Sequence, residues 1–265
     1  DGATASGLIA SERVSLVLSA TDENPGLQMR LANNDGFIGS SWMPFVDRLT
    51  WFLEPGEGDR DVYVQYRDAA GNVAPAVSDE VTVDTTPPTS GSVSVDEGLY
   101  INDPVVNLSL SAVGADTMRI AVVDTDGQVY LNDPEWEDYA TVRALSLPAG
   151  LQGQKRIEVT FADEAGNEGE TVAAVVVLDT ILPEGAVEIM GGAERTATTS
   201  VVLDLAAFDT GQSASGIRGV MIANQQAGLD GAAEVPFEPT KVWTLEDPSQ
   251  PDVEEPKEVW VRFVD

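Results

Sequence analysis

Residues 62–72 read VYVQYRDAAGN, and the chain returns to this pattern in residues 157–167, IEVTFADEAGN, and in residues 259–265, VWVRFVD. Apolar and polar residues alternate before a turn rich in Asp, Gly and Asn, which is typical of a half-buried β-strand that ends in a tight turn. The copies begin 95 residues apart (62 to 157) and 102 residues apart (157 to 259). Spacings of this size indicate an internal repeat, so the chain of 265 residues divides into three units.

The segments between these copies carry the same alternating apolar positions in each unit. One strand places on a single face Val14, Leu16 and Leu18 in unit one, Val106, Leu108 and Leu110 in unit two, and Val201, Leu203 and Leu205 in unit three. Turn residues follow about every 8–12 positions, the spacing of an antiparallel β-sandwich. The sequence therefore predicts an all-β protein, with less than about one-tenth helix, built from three tandem Ig-like antiparallel β-sandwich domains in an extended rod.

Proline-containing segments mark the predicted domain boundaries, which give unit one residues 1–88, unit two 89–183 and unit three 184–265. Unit two opens with residues 91–95, GSVSV, and unit three with residues 185–189, GAVEI. Unit one has no counterpart of this first strand, and unit three stops before its last strand. We therefore expect open sheet edges, which invite strand addition from flanking repeats of the parent chain or from a neighbouring subunit.

The charge and the missing residue types of the chain exclude several classes of binding and catalysis. Acidic residues number 45 against 14 basic ones, for a formal charge of −31, which opposes binding to nucleic acid or to an anionic membrane surface. No apolar run is long enough to insert into a membrane. Cysteine and histidine are absent, so the chain has no disulfide, no Cys/His zinc site and no serine–histidine or cysteine–histidine catalysis.

The order of strand, Asp-x-Ala-Gly-Asn turn, strand and the DTTPP of residues 84–88 resembles the tandem bacterial Ig-like repeats of large surface and secreted proteins. Residues 29–36, MRLANNDG, and 42–45, WMPF, extend the resemblance, which covers essentially the whole chain. Unit two departs from it at residues 181–182, where Ile-Leu replaces Thr-Pro. The resemblance implies a non-catalytic spacer, adhesive stalk or filament-forming segment, located outside a bacterial cell or on its surface.

Carboxylates are the only metal-binding chemistry that the sequence offers. Asp68 and Asp163 begin a turn, and Asp84 and Asp179 end the last strand before the next unit. Oxygen ligands gathered at a domain junction suit Ca²⁺, so these four are candidate calcium ligands, and no other cofactor is expected. The first junction is the better candidate, because Ile and Leu after Asp179 favour apolar packing. The same aspartates also fit turn and corner positions without an ion.

A second functional hypothesis is a carbohydrate- or protein-binding module. Trp51, Tyr63, Trp243 and Trp260 would then be exposed stacking residues, so their solvent exposure separates this hypothesis from the spacer. A glycosidase is a third hypothesis, because acidic residues are abundant in the chain. Such an enzyme needs two carboxylates on opposite sides of a cleft, and nothing in the sequence places a pair in that arrangement.

Overall fold

The computed structural model describes residues 7–132, 135–148, 152–211, 215–245 and 256–265. Strands hold 51% of the residues and helices 3%, which confirms the all-β prediction. The one helix in the described ranges is a single 3₁₀ segment, Gln226–Gly231, where unit three has Ala-Gly instead of the Asp-Gly hairpin turn of the other units. None of the described helical segments is long and apolar enough to cross a membrane.

Unit one pairs its strands in two sheets, in the orders β2-β5 and β1-β7-β6-β3-β4. Alternating apolar residues face inward from both sheets, which is the arrangement of a sandwich. The strands are β1 (Leu8–Ile9), β2 (Arg13–Val17), β3 (Gln28–Ala32), β4 (Met43–Pro44), β5 (Arg48–Phe52), β6 (Gly58–Arg67) and β7 (Val77–Val83).

Unit two has the fuller set, with sheets β14-β10-β8 and β12-β11-β15-β16-β9, and β13 also pairs with β11. Its strands are β8 (Thr89–Val95), β9 (Tyr100–Ile101), β10 (Val105–Val113), β11 (Thr117–Asp124), β12 (Val129–Asn132), β13 (Glu137–Asp138), β14 (Val142–Ser146), β15 (Gly153–Ala162) and β16 (Val172–Leu178).

Unit three has sheets β17-β18-β21 and β20-β19-β22. Its strands are β17 (Glu184–Ile189), β18 (Ser200–Phe208), β19 (Gly219–Ala223), β20 (Val235–Pro236), β21 (Thr240–Thr244) and β22 (Trp260–Val264). In the described part of the chain, β22 pairs with β19 alone, whereas its equivalents β6 and β15 each have a further neighbour.

Two strand pairs depart from the expected antiparallel pattern. The two-residue strands β1 and β9 run parallel to β7 and β16, the last strands of their units. A hairpin joins only antiparallel neighbours. Each of these short strands lies at the outer edge of the second sheet, and the chain crosses from it to the first sheet, to β2 after β1 and to β10 after β9, so the alternation pattern could not show their direction.

Each unit has its own hydrophobic core, and the predicted strand register is confirmed. Leu108, Leu203 and Val159 are fully buried, in the cores of units two and three. A slip of one residue would have turned these side chains to solvent. Leu16 and Val261 also face their cores but are only partly buried, because β2 and β22 each lack a neighbour in the described chain.

An edge-to-face aromatic pair recurs in every unit. The ring centroids lie 5.7–6.0 Å apart in the pairs Phe45–Tyr66, Tyr139–Phe161 and Phe237–Phe263. This geometry favours contact between the positive edge of one ring and the negative face of the other. The second residue of each pair belongs to the repeated strand, so the three units share a packing position as well as a sequence pattern.

Candidate cation site at the domain junctions

Asp68 and Asp163 hold the two Ala-Gly-Asn turns closed. Asp68 accepts hydrogen bonds from the backbone N and side-chain Nδ2 of Asn72 at 2.8 and 2.7 Å, and Asp163 accepts the same pair from Asn167 at 2.8 and 2.9 Å. The bonds from Asn72 lower the pKa of Asp68. The glycine of each turn has a φ of 92° or 90°, a conformation that glycine adopts without strain.

The first junction is closed by direct contacts between the turn of unit two and the end of unit one. Asn167 Nδ2 donates to the carbonyl oxygen of Asp84 at 2.8 Å, and the Asp84 carboxylate accepts the Thr86 N–H at 3.0 Å. A Cβ atom on Gly169 would lie 2.8 Å from the Pro88 carbonyl oxygen. The two backbones therefore approach so closely that only glycine fits at this position.

The second junction brings three carboxylates together. Asp179 is only 4% exposed, and its oxygens accept the N–H of Ile181 at 3.1 Å and, across the junction, the N–H of Ser215 at 3.0 Å. One oxygen each from Asp179, Asp209 and Asp265 lie within 4.8 Å of one another. Like charges held this close repel strongly unless a cation or a proton lies between them.

Asp209 carries a buried oxygen with no hydrogen-bond partner among the described residues. Its Oδ2 accepts the Gly216 N–H, whereas Oδ1 is shielded from solvent and has no donor. A buried carboxylate oxygen without a donor pays its full desolvation cost. A cation bound beside Oδ1 would therefore stabilise the Asp209 carboxylate.

Two of the three carboxylates, Asp179 and Asp265, line a cleft of about 490 Å³ between units two and three. Arg218 lies in its wall, but its guanidinium is paired with Glu234 at 3.0 Å. That hydrogen bond raises the pKa of Arg218, with a smaller contribution from the charge of Asp265. Because Arg218 is shared in this way, it only partly offsets the negative charge of the cluster.

Of the four predicted ligands, only Asp179 joins this group. Asp265 occupies the same repeat position as Asp163, so alignment of the repeats could have found it. Asp209 corresponds to Gly114 of unit two, and the first junction therefore lacks the third carboxylate at that position. At these three repeat positions the first junction therefore has two carboxylates and the second has three. Calcium binding by Asp68, Asp84 and Asp163 stays a prediction.

The aromatic residues of the binding-module hypothesis are partly buried rather than exposed. Trp51 and Trp243 pack against the cores of their units, and each indole N–H donates to the asparagine that follows β3 or β19, at 2.6 and 2.8 Å. Tyr63 and Trp260 donate to carboxylates within their own units.

No known protein family matches the chain, and no curated protein matches it. Among solved structures, the chain is similar to the Clostridium thermocellum CbhA fibronectin(III)-like modules, at 14% identity and a TM-score of 0.42, over 64% of this chain and 88% of that one. It is also similar to the chicken CNTN1 FN1–FN3 domains, at 13% identity and a TM-score of 0.39, over 64% of this chain and 65% of that one. The sandwich architecture rests on the strand pairing described above.

Proposed function

We propose that the chain is a non-catalytic spacer in an extracellular or surface protein of a bacterium, where a row of Ig-like units sets the distance between the parts on either side. The supporting observation is that each junction is bridged by hydrogen bonds from one unit to the next. Asn167 bonds to Asp84 at the first junction, and Ser215 bonds to Asp179 at the second. Repeats that contact only their neighbours form a row whose length grows with the number of units, which suits a spacer.

The charge of −31 supports the same function, because like charges along a chain of domains favour an extended arrangement. Small-angle X-ray scattering tests it. A compact body of this length would have a radius of gyration of about 18 Å, and a row of three units must exceed that value clearly. A radius near 18 Å, in dilute protein at moderate salt, would rule out the spacer.

We further propose that Ca²⁺ binds at the second junction, between Asp179, Asp209 and Asp265. Three arguments support it: the carboxylate oxygens are close together, Asp179 is almost fully buried, and one Asp209 oxygen has no donor among the described residues. Calcium takes six to eight oxygen ligands, so water and backbone carbonyls would complete its shell. Such an ion would tie the last strand of unit two to two segments of unit three.

Calorimetric titration with Ca²⁺ tests the ion separately from the spacer. We expect a dissociation constant no weaker than about 1 mM, as in other extracellular modules, and a loss of at least about tenfold in Asp209→Asn. Asp22→Asn is the matched control, because Asp22 holds the equivalent position in unit one and is exposed. Absence of heat at about 5 mM Ca²⁺, or equal affinity in Asp209→Asn, would overturn the ion and leave the spacer standing.

A further inference from the structure

The outer face of the second sheet of unit one carries two arginines beside a single tryptophan. Arg30 belongs to β3 and Arg67 to β6. The register sets Arg67 two residues away from the direct partner of Arg30, so both side chains leave the same face of the sheet. Their guanidinium carbons lie 4.9 and 4.4 Å from the centre of the Trp42 ring. At these distances the ring attracts both positive charges and holds them near each other.

Two glutamines fix the orientation of these guanidinium groups but do not neutralise them. Gln65 Oε1 accepts hydrogen bonds from Nε and Nη2 of Arg30 at 3.0 and 2.6 Å. Gln28 Oε1 accepts one from Nε of Arg67 at 2.6 Å. Within the described residues, Nη1 of Arg30 and both Nη atoms of Arg67 have no acceptor. Because a glutamine amide is uncharged, both positive charges and these N–H groups stay available to an anion.

Neither arginine has a carboxylate partner in the part of the chain that the structure describes. The composition makes this unusual, because the chain holds 45 acidic residues against 14 basic ones. Arginines of the other two units do form ion pairs, namely Arg119, Arg143, Arg156, Arg218 and Arg262. The pair in unit one is therefore a local positive site on an acidic chain.

Unit two shows which group such a site binds. Arg119 is the repeat counterpart of Arg30, and its guanidinium carbon lies 4.8 Å from the centre of the Trp136 ring. Arg119 Nη2 donates to the Glu168 carboxylate at 2.8 Å. In unit two, the arginine beside a tryptophan is thus paired with a glutamate.

Unit one has a valine in the place of that glutamate. Glu168 forms a β-bridge with Ala162, and the equivalent bridge in unit one joins Val73 to Arg67. Val73 is 50% exposed. The position that supplies a carboxylate in unit two therefore supplies none in unit one, and Arg67 adds a second guanidinium where unit two has Ala162. Unit three has apolar residues at both arginine positions, so only unit one combines the two arginines.

We propose that the site formed by Arg30, Trp42 and Arg67 binds a glutamate-bearing segment of a second protein. One carboxylate takes the place that Glu168 has in unit two and pairs with Arg30. A second carboxylate accepts two parallel hydrogen bonds from the Nη atoms of Arg67, because the planar guanidinium matches the geometry of a carboxylate. A short acidic segment brings only a few carboxylates to this surface, whereas a second copy of the chain would bring a net charge of −31.

Titration of the isotope-labelled chain with hexaglutamate, capped at both ends and followed by two-dimensional NMR, tests this site. The indole N–H of Trp42 reports on binding, and that of Trp136 is the internal control, because Arg119 is already paired. In about 0.15 M salt the screening length is about 8 Å, so distant carboxylates of the chain repel the peptide only weakly. We expect a saturable shift of the Trp42 signal, with a dissociation constant of about 1 mM or tighter, and no shift of the Trp136 signal.

Four variants, matched in pairs by charge, test the specificity. Arg67→Gln must weaken binding at least about tenfold, whereas Arg119→Gln, with the same change of charge, must alter it by less than about twofold. Val73→Glu places a carboxylate where unit two has Glu168 and must weaken binding as much as Arg67→Gln. Val17→Glu adds the same charge at an exposed position of the other sheet and must alter binding by less than about twofold.

Four results would overturn the proposal. The first is a Trp42 signal that does not shift saturably, or that shifts equally with capped hexaglutamine. The second is equal weakening by Val17→Glu and Val73→Glu, which would mean general charge repulsion. The third is tighter binding of polygalacturonate at equal carboxylate concentration, which would assign the site to an acidic glycan. The fourth is a Trp42 signal that moves with protein concentration alone, which would assign the site to a second copy of the chain.

Discussion

Leu108 and Leu16 occupy the same repeat position in units two and one, but they differ in burial, so alanine at each position must have a different cost. Leu108→Ala removes three carbons from a fully buried side chain, worth about 2.4 kcal/mol of transfer free energy. The closed cavity left behind adds to this, for a total of about 3–5 kcal/mol. Leu16→Ala opens into an existing groove, so no closed cavity forms, and we expect about 1–2 kcal/mol.

Native-state hydrogen exchange measures these costs unit by unit, because each unit has its own core. Leu108→Ala should speed exchange of the slowest amides in unit two and change those of units one and three by less than about 0.5 kcal/mol. Two results would refute this reasoning. One is a Leu16→Ala cost equal to that of Leu108→Ala, and the other is an equal loss in all three units, which would mean a single shared core.

Two further predictions concern the turn and the first junction. The hydrogen bonds from Asn72 lower the pKa of Asp68 in the folded state. The ionised Asp68 carboxylate therefore stabilises the folded state at pH values above its unfolded pKa, about 3.9. This stabilisation is lost as the pH falls through the lower pKa that Asp68 has in the folded state. Thermal melts of unit one from pH 6 to pH 2 should show this acid-side loss, and Asn72→Ala should reduce it; identical acid profiles would contradict the assignment. Gly169→Ala should loosen the first junction, because its Cβ would lie 2.8 Å from the Pro88 carbonyl oxygen, and faster amide hydrogen exchange of residues 84–86 would show it. Gly231→Ala, with open space around it, is the control, and equal effects of both changes would contradict the close approach.

The strands and their register follow from the sequence alone. A strand with one buried face must alternate with period two, so the alternation by itself places Val64 and Val159 in the cores, where both are buried. The repeat also allows each ambiguous segment to be compared in three versions. The features that sequence reasoning missed have little periodicity: the parallel direction of β1 and β9 depends on how the chain crosses between sheets.

The acidic group at the second junction could be predicted only in part. Asp179 is a candidate from its place before the next unit, but its partners lie 30 and 86 residues further along the chain, at 209 and 265. Which loops meet at a junction is a matter of tertiary packing rather than of local pattern. The burial of Lys155 is another such case: its ammonium group donates to the carbonyls of Gln152 and Gln154 and lies 5.5 Å from the ring centre of Tyr130.

Distances between spin labels test most directly whether the second junction holds units two and three in one arrangement. The chain has no cysteine, so labels can be placed cleanly at the exposed positions Val142→Cys in unit two and Val242→Cys in unit three. With Ca²⁺ present we predict one narrow distance distribution, which broadens with a chelator or in Asp209→Asn. A distribution that is broad in Ca²⁺, with the same width after chelation and in Asp209→Asn, would show that the units move freely and would contradict the account.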